Sequence, residues 1–253
     1  MFPMQRIFYL LLVSLMMVGC KQVKNENGQD SVPPKDTTQV SVKPVAVASE
    51  ELKTNPLEFI PAGYDLFSRC EGDLNKDGLP DVVLMIKGTE KSKWVDDAVR
   101  GRLDRNRRGL VILFKREGGY ELIAENDECF SSENEDGGAY YAPELRLEIN
   151  KNRLVVLYAH GRYGFWEYIF RYQNNDFELI GYHSCEGGSP TLGITDINFS
   201  TRKMVYQKNI NADDDEAEEE FKVTTTKLKP KPLLALSGIG DFDELDVESY
   251  AKE

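Results

Sequence analysis

The chain has few of the residues and motifs that enzymes use most. It contains two histidines, His160 and His183, and it lacks a Gly-x-Ser-x-Gly elbow, a His-Glu-x-x-His helix, a Walker loop and a dinucleotide fingerprint. His183 stands two residues before Cys185, but nothing in the sequence activates that pair as a nucleophile. Carboxylates are numerous, yet no two stand out as a glycosidase pair. We therefore expect a protein without enzymatic activity.

Basic residues are also scarce relative to acidic ones. There are 31 lysines and arginines against 43 aspartates and glutamates, which gives a net charge of −12. Binding to nucleic acid depends on a concentrated basic surface, so we expect no nucleic-acid partner. Much of the acid falls in one run at 213–220, which we interpret as a solvated loop. The alternative for that run is an auxiliary site for a cation or a partner.

Long apolar runs are absent except at residues 7–18, where Ser14 is the one interruption. This run is too short to span a bilayer as a helix, but it suits the apolar part of a signal sequence, with Arg6 as its positive flank. The run leads into Gly19-Cys20. These residues resemble a bacterial lipoprotein signal. An ordinary secretory signal with an incidental cysteine is the alternative.

The resemblance to lipoproteins implies a location and a membrane contact. Cleavage before Cys20 would make this cysteine the first residue, and acyl chains such as palmitate on it would anchor the protein, at about 0.8 kcal/mol per buried methylene. The expected location is the bacterial cell envelope, with the membrane contacted through the N-terminal lipid. Lys21 follows the cysteine, where an aspartate would indicate retention in the inner membrane. The presence of lysine instead of aspartate at position 21 therefore favours the outer membrane.

The chain divides into three parts by composition. Residues 1–19 are the predicted lipoprotein signal peptide. Residues 20–54 are the lipidated cysteine followed by a tether, predicted to be disordered because it is polar, contains prolines and has no hydrophobic period. Residues 55–253 are a single β-rich domain.

Within the domain, apolar and aromatic residues come in short runs separated by Gly, Asn and Asp. The candidate strands are 64–70, 82–87, 110–115, 120–126, 145–149, 154–160, 165–172, 177–182, 194–199, 203–207 and 221–228. Their short connections predict an all-β fold, as an antiparallel meander, a sandwich or a partial barrel. The segment 88–108 is dense in charge and is interpreted as a short helix or a loop.

Three cysteines follow the lipidated one: Cys70, Cys129 and Cys185. An odd number permits at most one disulfide within the chain. Two similar hairpin segments, 114–124 and 170–181, each contain an aromatic residue followed by Glu-Leu-Ile. Cys129 and Cys185 follow these segments at nearly equal distances, which favours a disulfide between them. The alternative is that all three are small buried residues.

The most informative motif is Asp-Leu-Asn-Lys-Asp-Gly-Leu-Pro-Asp at residues 73–81. Oxygen-bearing side chains at alternate positions can wrap around one hard cation such as calcium, and a glycine at the sixth position allows a sharp turn. The candidate ligands are the side chains of Asp73, Asn75, Asp77 and Asp81 and the carbonyl of Leu79. The twelfth position, which is a glutamate in an EF-hand, is Leu84 within an apolar run, so the loop leads into a strand.

Residues 72–83 resemble the calcium loops of FG-GAP and VCBS-type repeats, as in the β-propeller heads of integrin α subunits. In those loops Asp-x-Asp/Asn-x-Asp-Gly-x-x-Asp precedes a strand, which implies one bound calcium ion on the residues named above. The domain as a whole is similar to bacterial lipoproteins that carry one such loop. We find a single loop, and a propeller needs several blades, so we do not expect a propeller. The alternative is a metal-free turn whose Asp and Asn side chains bond to nearby backbone amides.

These features together predict a lipid-anchored envelope domain of structural or binding type, with an unknown protein or glycan partner. A second hypothesis is a glycan-binding or inhibitor-like protein that uses the aromatic segment 163–172 or the arginines of 100–108. Exposed aromatic side chains along the strand at 164–172 would favour it. A hydrolase with dispersed carboxylates is the third.

Overall fold

The computed structural model describes residues 52–135, 142–214 and 216–253. These residues belong to one compact unit, Val42–Glu253. The predicted signal peptide, Cys20 and nearly all of the predicted tether lie outside the described residues. In the described part, no helix combines the length and the apolar character needed to cross a membrane.

Strands are the main regular structure of the described residues, and there is one short α-helix among them, α1 (Val247–Lys252). The strands are β1 (Tyr64–Gly72), β2 (Asp81–Gly88), β3 (Trp94–Asp97), β4 (Gly101–Asp104), β5 (Arg108–Arg116), β6 (Gly119–Phe130), β7 (Glu144–Ile149), β8 (Leu154–Ala159), β9 (Gly164–Gln173), β10 (Asp176–Glu186), β11 (Gly193–Asn198), β12 (Lys203–Asn209) and β13 (Phe221–Lys227). This confirms the predicted all-β class.

Two open antiparallel sheets carry the fold. A four-stranded sheet has the order β1-β2-β5-β6, and a seven-stranded sheet runs β13-β12-β11-β10-β9-β8-β7. In the larger sheet each strand pairs with the next one in the chain, which is a meander. Two of its turns have two central residues in the left-handed region, Lys151-Asn152 and Asn174-Asn175. Such turns match the twist of the strands they join.

The two sheets share one hydrophobic core and therefore form a sandwich. Val83 and Ile112 of the smaller sheet belong to the same buried cluster as Val156 and Phe170 of the larger one. The C-terminal segment completes this core, because Phe242 is buried against Phe130, Tyr168 and Phe170, with ring centroids 4.9, 5.2 and 6.0 Å away.

Strand β2 is buried on both faces, which explains its unbroken apolar sequence. Val83 and Met85 point into the core shared by the sheets. Val82, Leu84 and Ile86 belong to a second cluster on the opposite face, together with Phe59 from the 3-10 turn Pro56–Phe59. In a strand that is covered on both faces, apolar and polar side chains do not need to alternate along the sequence.

The interpretation of 88–108 as a helix or loop is wrong. After the 3-10 turn Lys91–Lys93, this segment forms a small two-stranded sheet of β3 and β4, with Trp94 opposite Asp104. The turn between the strands is held by Asp97, whose Oδ1 accepts from the amides of Val99 and Arg100 at 2.9 and 2.8 Å.

Candidate calcium loop

The 73–81 segment is a loop closed at its base by strand pairing. It leaves β1 after Gly72 and enters β2 at Asp81, and these two residues face each other in the sheet. The backbone turns through two residues in the left-handed region, Lys76 (φ 69°) and Gly78 (φ 85°). Glycine adopts this conformation without steric cost, so the sequence expectation of a sharp turn at Gly78 matches the backbone.

Asp73 organises the first half of the loop. Its Oδ1 accepts from the amide of Lys76 at 2.6 Å, and its Oδ2 accepts from the amide of Gly78 at 3.1 Å. Its carbonyl oxygen accepts from Nδ2 of Asn152 at 2.7 Å. Because Asn152 lies in the turn between β7 and β8, this bond joins the loop to the larger sheet.

Asn75 and Asp77 are joined to each other at the outer side of the loop. Asn75 Nδ2 donates to Asp77 Oδ2 at 2.8 Å, and Asn75 Oδ1 accepts from the amide of Asp77 at 2.9 Å. Asp77 Oδ1 accepts from the amide of Leu79 at 2.8 Å. The bonds from Leu79 and Asn75 lower the pKa of Asp77, so its carboxylate is held in the charged form.

Asp81 is the one fully buried carboxylate among the predicted ligands. Its Oδ2 accepts from the amide of Leu74 at 2.7 Å, and its Oδ1 accepts from the amide of Lys115 at 2.9 Å. Burial raises the pKa of Asp81 despite these donors. The residue therefore ties the start of the loop and the strand β5 to the beginning of β2.

The loop offers oxygen atoms as donors for a cation, but its carboxylates are not gathered into a ligand cluster in the structure. Among residues 52–135, 142–214 and 216–253, no three His, Cys, Asp or Glu side chains are grouped as ligands. The oxygens of the loop instead accept hydrogen bonds, mainly from backbone amides, as in the metal-free alternative. A carboxylate has about four acceptor sites, so these bonds leave each loop carboxylate capacity for a cation. Hard oxygen donors of this kind are what calcium prefers.

Two side chains that contact the loop were not among the sequence predictions. Asn152 reaches the Asp73 carbonyl from far along the chain, and Nη1 of Arg116 lies 3.4 Å from Asp77 Oδ2. Neither contact has a local sequence signal, because both depend on how the strands are arranged. The buried position of Asp81 does have a local sequence signal, because Asp81 directly precedes the apolar run of β2.

The predicted Cys129–Cys185 disulfide is not formed in the structure. Cys70, Cys129 and Cys185 are free thiols. Cys129 is completely buried, and its Sγ lies 3.6 Å from the carbonyl oxygen of Asn126, whereas Cys185 Sγ lies 3.6 Å from that of Gly187. The two sulfur atoms therefore lie next to different backbone carbonyl groups and are not bonded to each other.

The aromatic segment contributes mainly to the core. Along β9, Tyr168 and Phe170 are buried, and Trp166 stacks on Tyr158 with ring centroids 5.2 Å apart. Tyr172 contacts Phe114 edge-on at 4.8 Å. The row of exposed aromatic side chains that would favour a glycan-stacking surface on this strand is therefore not present.

The two histidines lie in different settings. His183, on β10, places Nδ1 2.7 Å from Asp196 Oδ1 on the neighbouring strand β11. His160 precedes the 3-10 turn Gly161–Tyr163 and contacts the Tyr163 ring at 5.0 Å between centroids. Within the described ranges, no hydrogen bond joins His183 to Cys185, the pair considered from the sequence.

No known protein family, curated protein or solved structure matches this chain.

Proposed function

We propose that the protein is a lipid-anchored cell-envelope domain, non-enzymatic and of structural or binding type, in which the 73–81 loop binds one calcium ion. The ion would be held by Asp73, Asn75, Asp77, the Leu79 carbonyl and Asp81. When bound, calcium would neutralise mutually repelling carboxylates at the start of β2. The single observation that supports this most is the position of Asp81, because its carboxylate connects the loop to two strands of the sheet.

The loop has the preorganisation that a structural cation site needs. The amides of Lys76, Gly78 and Leu79 already hold the carboxylates of Asp73 and Asp77 in place. The loop is also short and closed by the pairing of Gly72 with Asp81. A cation would therefore add charge compensation to an ordered loop, which lowers the entropy cost of binding.

The anchor is supported by the sequence alone. Residues 7–18 and Cys20 have the pattern of a lipoprotein signal, and residues 21–50 have the composition of a tether. A tether of this kind would separate the β domain from the membrane surface. The proposed place of the protein is the bacterial envelope, with the outer membrane favoured by Lys21.

Calorimetric titration with calcium tests the proposed function. Protein treated with a chelator should bind about one calcium ion and gain thermal stability, and Asp77→Ala should remove both effects. Asp213→Ala is the matched control, because it deletes an exposed carboxylate of the acidic run outside the loop. Extracellular calcium modules bind at roughly 10⁻⁴ to 10⁻³ M, so the titration must reach several millimolar. If several millimolar calcium produces neither heat nor stabilisation, residues 73–81 form a metal-free turn. If only Asp213→Ala loses calcium binding, the site lies in the acidic run at 213–220.

A further inference from the structure

Arg108, at the start of β5, is a buried cation on the edge of the sandwich. It is 2% exposed. Its Nε donates to the carbonyl oxygen of Ser131 at 2.8 Å, and its guanidinium lies over the Phe67 ring at 5.2 Å from the centroid. A charge removed from water is costly unless an opposite charge or several hydrogen bonds compensate it.

The surrounding acids do not provide that compensation. In the described part of the chain, no carboxylate lies within 4 Å of the Arg108 nitrogens. Glu133, which is close enough to affect the guanidinium electrostatically, is bound to Lys87 at 2.5 Å. Burial accordingly lowers the pKa of Arg108. The Tyr158 hydroxyl, which also affects this pKa, is a buried polar group without a hydrogen-bond partner among the described residues.

Arg108 lines an open depression of about 620 Å³ between strands β1 and β7. Two other arginines line it, but Arg69 is paired with Glu71 at 2.7 Å and Arg146 with Glu144 at 3.0 Å. Of the three arginines, Arg108 is therefore the one that has no acidic partner within 4 Å among the residues that the structure describes. Volumes of about 300–1,000 Å³ are usual for small-molecule sites.

Phe67 gives the depression an apolar wall. It lies where the pairing of β1 with β2 shifts register between Leu66 and Ser68, and it remains 41% exposed. A bulge of this kind redirects a side chain out of the regular sheet face. The result is an exposed aromatic ring directly beside a buried guanidinium.

We propose that this depression binds a small ligand with a single carboxylate on an aromatic or apolar body, and that Arg108 receives the carboxylate. The guanidinium can bind a carboxylate through two parallel N–H donors, and Phe67 would contact the ligand body. Three glutamates, Glu133, Glu144 and Glu148, line the same depression, so a dianion such as phosphate would be repelled. This proposal depends neither on calcium binding nor on the lipid anchor.

Titration of the purified protein with benzoate, followed by NMR chemical shifts and melting temperature, tests the proposal. Benzoate should bind and raise the melting temperature, whereas benzamide, its neutral counterpart of similar shape, should do neither. Arg108→Met should weaken benzoate binding at least tenfold, and Phe67→Ala should weaken benzoate binding more than acetate binding. Arg69→Met is the matched control, because it removes an arginine of the same depression that is already paired.

Three results would overturn the proposal: equal binding of benzoate and benzamide, unchanged benzoate binding in Arg108→Met, or tighter binding of inorganic phosphate than of benzoate. If Arg108→Met does not fold, the comparison of benzoate with benzamide on the unaltered protein and on Phe67→Ala decides the question. A benzoate affinity that Phe67→Ala leaves unchanged would then place the ligand elsewhere.

Discussion

The Oδ1 atom of Asp81 accepts a hydrogen bond from the backbone amide of Lys115 at 2.9 Å, although the two residues are 34 positions apart. Its other oxygen accepts from Leu74. One buried carboxylate thus satisfies two backbone amides, one in the 73–81 loop and one on strand β5.

We predict that Asp81→Ala destabilises the domain by about 3 kcal/mol, even in the presence of a chelator. The physical reason is that two amides lose their partner, each at a cost of roughly 1–3 kcal/mol. Urea denaturation measures the change, and Asp65→Ala, an exposed aspartate on β1, serves as the control. A loss as small as that of the control would mean that water replaces the carboxylate.

Gly78→Ala should separate the conformational role of the loop from its proposed calcium role. Gly78 has φ 85° and an added Cβ would meet nothing within 4 Å, so the cost is conformational, about 1 kcal/mol. Gly118→Ala is matched, since Gly118 has φ 92° and equally open surroundings in another hairpin. Both variants should lose similar stability by urea denaturation, but only Gly78→Ala should weaken calcium binding. Equal calcium affinities in the two variants would count against a site in the loop.

Alkylation with iodoacetamide in denaturant, without reductant, counts the thiols. We expect Cys70, Cys129 and Cys185 all to be modified, because they are free in the structure. In the native state Cys129 should resist because it is completely buried, and Cys70 should react slowly at neutral pH because burial raises its pKa to about 12. Mass spectrometry that finds Cys129 joined to Cys185 would instead support the disulfide predicted from the sequence.

The lipid anchor predicts a specific labelling result. In a bacterial host, the chain should incorporate radioactive palmitate and remain with the membrane fraction, and Cys20→Ser should lose both properties. Cys70→Ser, a cysteine within the β domain, should keep them. Secretion of the unaltered chain in unlabelled form would favour the ordinary signal sequence.

Acid should weaken the domain partly through Asp104. Burial alone would raise its pKa, but the donors Lys87 at 2.8 Å and Asn106 outweigh this and lower it below 3.8. A carboxyl group whose pKa is lower in the folded protein than in the unfolded chain stabilises the fold at pH values above its pKa in the unfolded chain. That stabilisation is lost as the pH falls through the pKa that the group has in the folded protein. Asp104→Asn should therefore be less stable than the unaltered chain near neutral pH, and the difference should shrink as the pH falls below the ordinary aspartate pKa of about 3.9. Denaturation curves from neutral pH to below that pKa provide the measurement, and a constant difference would contradict it.

Most strands were predictable because each is a short apolar run bounded by turn residues. The pair β3 and β4 was not, because Trp94, Val95 and Leu103 are the only apolar residues within these two strands, and the surrounding segment is dense in charge. Their pairing depends on contacts such as that of Arg102 over the Trp94 ring at 5.0 Å. The pattern of the loop at 73–81 was visible in the sequence, but the long-range contact with Asn152 required the fold.

The same limit applies to the buried polar groups. Periodicity along β5 predicts apolar residues, and nothing in Arg108-Gly109-Leu110 indicates that the arginine is almost fully enclosed. Its side chain is held instead by Ser131, just after β6, and by the Phe67 ring of β1, and both residues are far from Arg108 in the sequence.

The meander has a consequence for how the chain reaches its final state. Strands β7 to β13 each pair with their immediate neighbour, so this sheet can form by adding one hairpin after another, with short loops to close. The core between the sheets has a different requirement, since Phe242, Val247 and Ala251 lie in it and follow β13, the last strand of the meander. The protein can therefore form its strands early, but it can close this interior only once the segment after β13 has packed against both sheets.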